Sequence, residues 1–136
     1  MAYAIKTAMV DPLPETLRFP AQKTMYGGKQ IAAGDTIFLF ASENDGGAGL
    51  CARGLVISAE PVPRVVGLAR QTPRVGIAVR PTALSVRPLG RRELRPFSDW
   101  DDGRPETELN FKFYRQATDK IVGISDATAA YLNAFF

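Results

Sequence analysis

Eight arginines crowd the stretch from Pro61 to Phe97 (Arg64, Arg70, Arg74, Arg80, Arg87, Arg91, Arg92 and Arg95), with no lysine among them and Glu93 as the lone acid. A guanidinium presents a planar fork of donors that matches phosphate oxygens, so this composition suits a polyanionic backbone. Two aromatic residues stand where a base can stack. Trp100, the only tryptophan, lies in the polar run Ser98-Asp99-Trp100-Asp101-Asp102-Gly103, and Tyr26 precedes Gly27 and Gly28, which allow close backbone approach. Each has a plainer reading: Trp100 as a loop anchor folded onto the core, Tyr26 as a packing residue. Ser42 and Glu43 end an apolar run, where a carboxylate either accepts a hydrogen bond from a base amino group or simply faces water.

Other chemistry is excluded by what is missing. The chain has no histidine, which removes imidazole acid/base catalysis, Ser-His and Cys-His nucleophile pairs and almost every familiar zinc site. Its one cysteine, Cys51, falls in a strand-like run and reads as a buried, inert thiol. No Asp-rich loop of calcium-binding spacing occurs, so neither a structural metal nor a cofactor is expected. A net charge of +3 hides an uneven distribution, because Asp99, Asp101, Asp102, Glu106 and Glu108 follow the arginine stretch against Arg104 alone. The two segments are placed to neutralise each other.

With 136 residues, 46% hydrophobic and 23% charged, one domain spanning 1–136 is expected. No apolar stretch approaches bilayer length and no leader pattern opens the chain, so a soluble, cytoplasmic protein without a membrane partner is expected. Ala2 to Met9 reads as a first strand, ended by Asp11-Pro12-Leu13-Pro14. Glu15 onward reads as loop or a short helical turn through Pro20, and Gln30 to Ala33 as one more turn. Gly34-Asp35 then reverses the chain into a strand from Thr36 to Ser42, apolar on both faces and so covered on both sides. Glu43 to Gly49 reads as an exposed tip. Leu50 to Ala59 resumes the strand pattern, with Arg53 on the face of Leu55 and Ile57 and expected at a barrel rim.

A third strand is expected at Val75 to Val79, ended by Pro81, with weaker strands at Leu84 to Leu89 and Glu93 to Phe97. Ser98 to Glu106 reads as loop, Leu109 to Tyr114 as an alternating strand and Lys120 to Ile124 as a short one. The polar set Lys112, Tyr114, Arg115 and Gln116 either lines a cleft or faces water. A closing helix begins at Ser125, a good N-cap, with Asp126 in its first turn and Ala127, Ala130, Tyr131, Ala134 and Phe135 as its apolar stripe. Many short strands and few helices favour a mainly β, α+β barrel over a doubly wound sheet.

This order of elements, with the Lys23 to Lys29 loop, Gly34-Asp35 leading to an apolar strand, Gly54, Ala59-Glu60-Pro61 and the closing ATDKIVGIS, resembles the PUA-like superfamily, nearest the EVE domain and next the ASCH domain. The specific part of the resemblance covers Lys29 to Pro61 and Phe111 to Leu132. The tryptophan near the start of the first EVE strand is missing, with Tyr3 the nearest aromatic, and Tyr26-Gly27-Gly28-Lys29-Gln30 lacks the acid that follows the ASCH lysine. The resemblance implies a pseudo-barrel of five to six strands with short helices and a C-terminal helix. It also implies binding of RNA or DNA around a modified or flipped base.

The resulting expectation is a nucleic-acid-binding module with an electropositive barrel mouth. Its expected contact residues are Tyr26, Gly27, Lys29, Ser42, Arg53, Arg74, Arg80, Arg87, Trp100, Lys112 and Arg115, and Arg74, Arg80 and Arg87 are expected to converge with Arg53 on one cleft. Two alternatives remain. One is an ASCH-type amidohydrolase acting on acylated cytidine through Lys23, Thr24 and Glu43, since a desolvated lysine can activate a threonine hydroxyl without histidine. The other is an accessory domain for protein interaction, which an apolar surface patch would favour.

Overall fold

A computed structural model describes residues 1–116 and 119–136; Ala117 and Thr118, which open the ATDKIVGIS stretch, lie outside the described residues, as does the side chain of Gln116. Six strands close into a barrel: β1 (Ala2–Thr7), β2 (Leu17–Met25), β3 (Thr36–Ala41), β4 (Gly49–Pro61), β5 (Arg74–Leu84) and β6 (Lys120–Ile124). Their order around the barrel is β1-β3-β4-β5-β2-β6, with β1 parallel to β3 and β2 parallel to β6. β1 and β6 pair antiparallel and close the barrel, so every edge is paired.

Alternation along each strand splits the apolar residues between two cores. Tyr3, Ile5, Ile37, Leu39, Val56, Val75, Ile77, Val79 and Ile121 fill the barrel. Ala2, Ala4, Phe38, Phe40, Val122 and Ile124 point outward, and that face is covered by Leu94, Leu109, Phe113, Leu132 and Phe135. The expectation that β3 is covered on both sides is met by this second layer. It consists of α1 (Arg91–Leu94), α2 (Pro105–Leu109), a π-helical turn (Asn110–Gln116) and α3 (Asp126–Asn133). Phe40 and Phe113 meet within it, their ring centroids 4.9 Å apart.

Several local expectations are corrected. Leu17–Met25, read as loop or helical turn, is a strand. The structure accommodates Pro20 in an irregularity between Phe19 and Gln22, where the ladder does not need its missing N–H. Pro81 likewise does not end β5, because it sits at a register shift opposite Gly54. Glu93 to Phe97 is not a strand: Glu93 Oε1 accepts from the Gly90 amide at 2.8 Å and closes the first turn of α1. Leu109 to Tyr114 is helical, since Pro105 starts α2 and Leu109 and Phe113, four residues apart, share one buried face.

Ser125 caps α3 as expected, accepting from the Thr128 amide at 3.2 Å. The buried stripe is Thr128, Leu132 and Phe135 rather than the one through Ala127 and Ala130, which are exposed. Cys51 donates its thiol to the Leu39 carbonyl at 3.3 Å, and burial pushes its pKa up to about 11. The thiol is therefore protonated at neutral pH.

Candidate functional site

Strand register assembles a row of cations that the linear sequence scatters. Lys23 pairs with Arg74 on one side and with Lys120 on the other, and Ile5 pairs with Ile121, which brings Lys6 beside Lys120. Paired residues share a face of the sheet, and the inward partners here are Val75, Ile121 and Ile5. Arg74, Lys23, Lys120 and Lys6 therefore stand on the outer face of four adjacent strands, spanning ~14 Å at about 4.8 Å per strand. Arg74 and Lys23 are exposed, Lys120 is half-buried and Lys6 is only 1% exposed. Asp119 lies at the same end, its amide donating to the Lys6 carbonyl at 2.9 Å.

At the buried end of that row, Lys6 holds its ammonium 4.1 Å from the centroid of Tyr114. Burial lowers the Lys6 pKa; the carboxylate of Glu43 opposes this, the guanidinium of Arg91 adds to it and Asp119 opposes it. The Tyr114 hydroxyl bonds to both Glu43 oxygens, at 3.0 and 2.9 Å, and its pKa is raised by burial and then by that carboxylate. Glu43 Oε2 also accepts from the Arg91 amide at 2.6 Å. Glu43 is thus half-buried and engaged, not the tip acid facing water.

Ser42 completes the cluster. Phe40 pairs with Lys6, and Ser42, two residues further along, turns to the same outer side. Its main chain is fixed, the amide donating to Thr7 at 2.9 Å and the carbonyl accepting from Asp45 and Gly47. Its hydroxyl is fully buried and has no hydrogen-bond partner among the described residues. A buried hydroxyl left unbonded is costly, and it offers both a donor and an acceptor to an incoming group. Beyond Glu43 opens a groove of about 460 Å³, with the acids Glu43 and Glu93 and the cations Arg91, Arg92 and Arg95 along its walls; Ser42, Lys6 and Tyr114 do not line it.

A second concavity, of about 230 Å³, is lined by two residues expected from the sequence, Trp100 and Lys112, with Arg115 and Tyr26 in ring contact with them. Trp100 meets Phe111 edge-on at 5.4 Å, and the Arg115 guanidinium lies 5.0 Å from the Trp100 ring centroid. Lys112 donates to Glu108 Oε2 at 3.0 Å and to the Gly123 carbonyl at 2.8 Å, and sits 4.7 Å from the Tyr26 ring centroid. Tyr26 is drawn in by a left-handed backbone, φ 53°, and by close approach to β6. A Cβ on Gly28 would run into the Ile121 carbonyl and one on Gly123 into that of Tyr26, so only glycine fits at either place. Burial pushes the Glu108 carboxyl up, but bonds from the Ser125 and Thr128 hydroxyls, the Ser125 amide and Lys112 outweigh it and hold the pKa low.

Other expected residues do not join either concavity. Arg53 is not at a rim: its Nη1 donates to Asn133 Oδ1 at 2.8 Å, and its guanidinium lies 5.0 Å from the Phe136 ring centroid. Arg87 clasps the same C-terminal segment, donating to the Ala134 carbonyl at 3.0 Å and lying 4.3 Å from the Phe135 ring centroid. Arg80 is exposed opposite Leu55, while Arg74 donates to Ala21 at the far end of the ladder. The four arginines therefore do not converge, because β4 and β5 separate them along their length. Gly27 and Lys29 are exposed in the turn after Tyr26.

The barrel mouth is not electropositive either. Where β1 and β3 end and β4 begins, a cavity of about 490 Å³ is lined by Met9, Leu13, Leu50 and Cys51 with Asp11 and Asp45. Nor do the arginine stretch and the acidic loop neutralise each other: among the described residues the only side-chain ion pair is Lys112 with Glu108. Lys23, Thr24 and Glu43 are not brought together. Thr24 spends its hydroxyl on the Pro73 carbonyl at 2.9 Å, and β6 and β1 lie between β2 and the end of β3. Sequence reasoning passed over Lys6, Lys120 and Arg91 as site residues and left Tyr114 undecided. A usable signal existed for Lys6, a lone cation in the otherwise apolar run AYAIKTAM.

No family model matches the chain, and no curated protein matches it. Solved structures do. The human THYN1 protein, in complex with 5-methylcytosine-containing DNA, superposes with a TM-score of 0.65 at 13% identity, over 98% of this chain and 95% of that one. The DUF55 domain of human thymocyte nuclear protein 1 gives 0.65 at 12% identity, over 98% and 97%. A Pseudomonas putida protein gives 0.64 at 13% identity, over 99% of each chain. The chain therefore shares the fold of these proteins, the mainly β barrel with short helices and a C-terminal helix expected from the sequence.

Proposed function

We propose that this chain binds nucleic acid and holds one unstacked base, of a modified kind, against Lys6, Ser42 and Tyr114. The observation that carries this reading is the fully buried, unbonded Ser42 hydroxyl on the same sheet face as a buried lysine. A base edge presents carbonyl and amino groups that such a hydroxyl and ammonium complement. Phosphates would follow Arg74, Lys23 and Lys120 toward Lys6, with Arg91, Arg92 and Arg95 available along the groove beyond Glu43. The DNA complex of THYN1, which shares the fold, supports the choice of partner and of a methylated pyrimidine as the first base to try.

The aromatic cleft is the weaker candidate for the base. Its polar groups are already spent, since Glu108 and Lys112 are bonded internally and Arg115 covers Trp100. Binding is measured on oligonucleotides carrying cytosine or 5-methylcytosine across a series of salt concentrations. Affinity is expected to fall steeply with salt, and Lys23→Ala and Lys120→Ala should each flatten the slope of log K against log salt by ~1. A salt-independent affinity, or slopes unmoved by both variants, would remove the phosphate track.

A further inference from the structure

The connection between β4 and β5, residues 62–73, carries an apolar tip: Val66 is 99% exposed, Val65 60% and Leu68 57%. The tip is held in shape. Gln71 accepts from the Val65 amide at 2.8 Å and donates to the carbonyls of Val65 at 2.8 Å and Leu68 at 3.1 Å. Gly67, at φ +92°, supplies the left-handed residue of the turn. The base of the loop is anchored as well, the Val62 amide donating to Arg74 at 2.9 Å and the Thr24 hydroxyl to Pro73 at 2.9 Å. Arg64 and Arg70 flank the tip and Arg74 closes it, with no acid between Glu60 and Glu93.

Three apolar side chains clasped in a position that water disfavours, between forked cations, form a surface complementary to something with an anionic rim and an apolar interior. Duplex DNA has that arrangement, phosphates outside and stacked bases within. We propose that Val65, Val66 and Leu68 act as a wedge entering a base step of duplex DNA, with Arg64 and Arg70 on the flanking phosphates. The inference rests on the nucleic-acid reading above and deepens it. A base inside a duplex must leave the stack before it can reach Lys6 and Ser42, and inserted apolar side chains lower the cost of opening the step. The loop also springs from Arg74, the first cation of the row that ends at Lys6.

The test titrates duplex and single-stranded DNA of one sequence, both carrying 2-aminopurine as a reporter of stacking, with the wild-type chain and with the Val66→Ser, Leu68→Ser double variant. Phosphatidylserine-containing vesicles form a third arm. The wild type should raise 2-aminopurine fluorescence in the duplex, and the variant should not. The ratio of duplex to single-strand affinity should fall about tenfold in the variant. A variant that keeps both the ratio and the fluorescence rise overturns the wedge alone. Loss of vesicle binding with duplex behaviour intact also overturns it, in favour of a membrane-inserting loop. A wild type that binds neither form of DNA fails the broader reading, and the wedge with it.

Discussion

The ammonium of Lys6 faces the Tyr114 ring at 4.1 Å, joining the first strand of the barrel to the π-helical turn more than one hundred residues later. Burial lowers the pKa of this lysine, so its charge weakens the fold that carries it. Such a cost is expected where a cation serves a ligand.

Lys6→Met keeps most of the stem and deletes the charge. Stability should rise by about 1 kcal/mol while oligonucleotide affinity drops by roughly tenfold or more. Chemical denaturation and a binding titration on the same preparation decide the matter. A variant that is less stable and binds as before would make Lys6 a structural residue.

Trp100→Ala separates the two concavities. Its ring packs on Phe111 and under Arg115, so truncation should cost about 1 kcal/mol of fold stability and less than about a twofold change in affinity. Stacking on a base would instead be worth ~1–3 kcal/mol of binding. A loss of that size would move the base from the Lys6 cluster to the aromatic cleft.

Glu108 ties α2 to the start of α3 through the Ser125 and Thr128 hydroxyls, at 2.6 and 2.7 Å. Glu108→Gln should destabilise the protein by about 2 kcal/mol, because a charged acceptor is lost among groups arranged to donate to it. Its carboxyl pKa is held low in the folded chain, so the stabilisation is fully present above the unfolded carboxylate pKa and disappears as pH falls through the lower folded value. The wild type should therefore lose stability on acidification more steeply than the variant. Parallel stability curves for the two proteins would contradict that account.

Much of the architecture was readable in the chain. The two-sided apolar pattern of Thr36 to Ala41 already implied a covered strand, Ser125 marked its helix, and Gly34-Asp35 marked the reversal before β3. What misled was punctuation: the run through Pro20 reads as loop or helical turn and Pro81 as a strand end, yet register irregularities absorb both prolines. Leu109, Phe111 and Phe113 fit two periods at once, and only docking against Phe40 and Leu94 selects the helical one.

Of the candidate site, the sequence by itself determined the ingredients: arginine excess, lack of histidine, one lone lysine in an apolar strand, an inert thiol and a glycine-flanked tyrosine. Tertiary structure decided the company each one keeps. Arg53 and Arg87 went to the C-terminal segment, while Arg74, Lys23, Lys120 and Lys6 were drawn into one row. The reason is physical. A strand's own alternation says which residues share a face, but the neighbour across the ladder depends on pairing between segments that lie more than a hundred residues apart, and a shift of one residue would send every one of these cations inward.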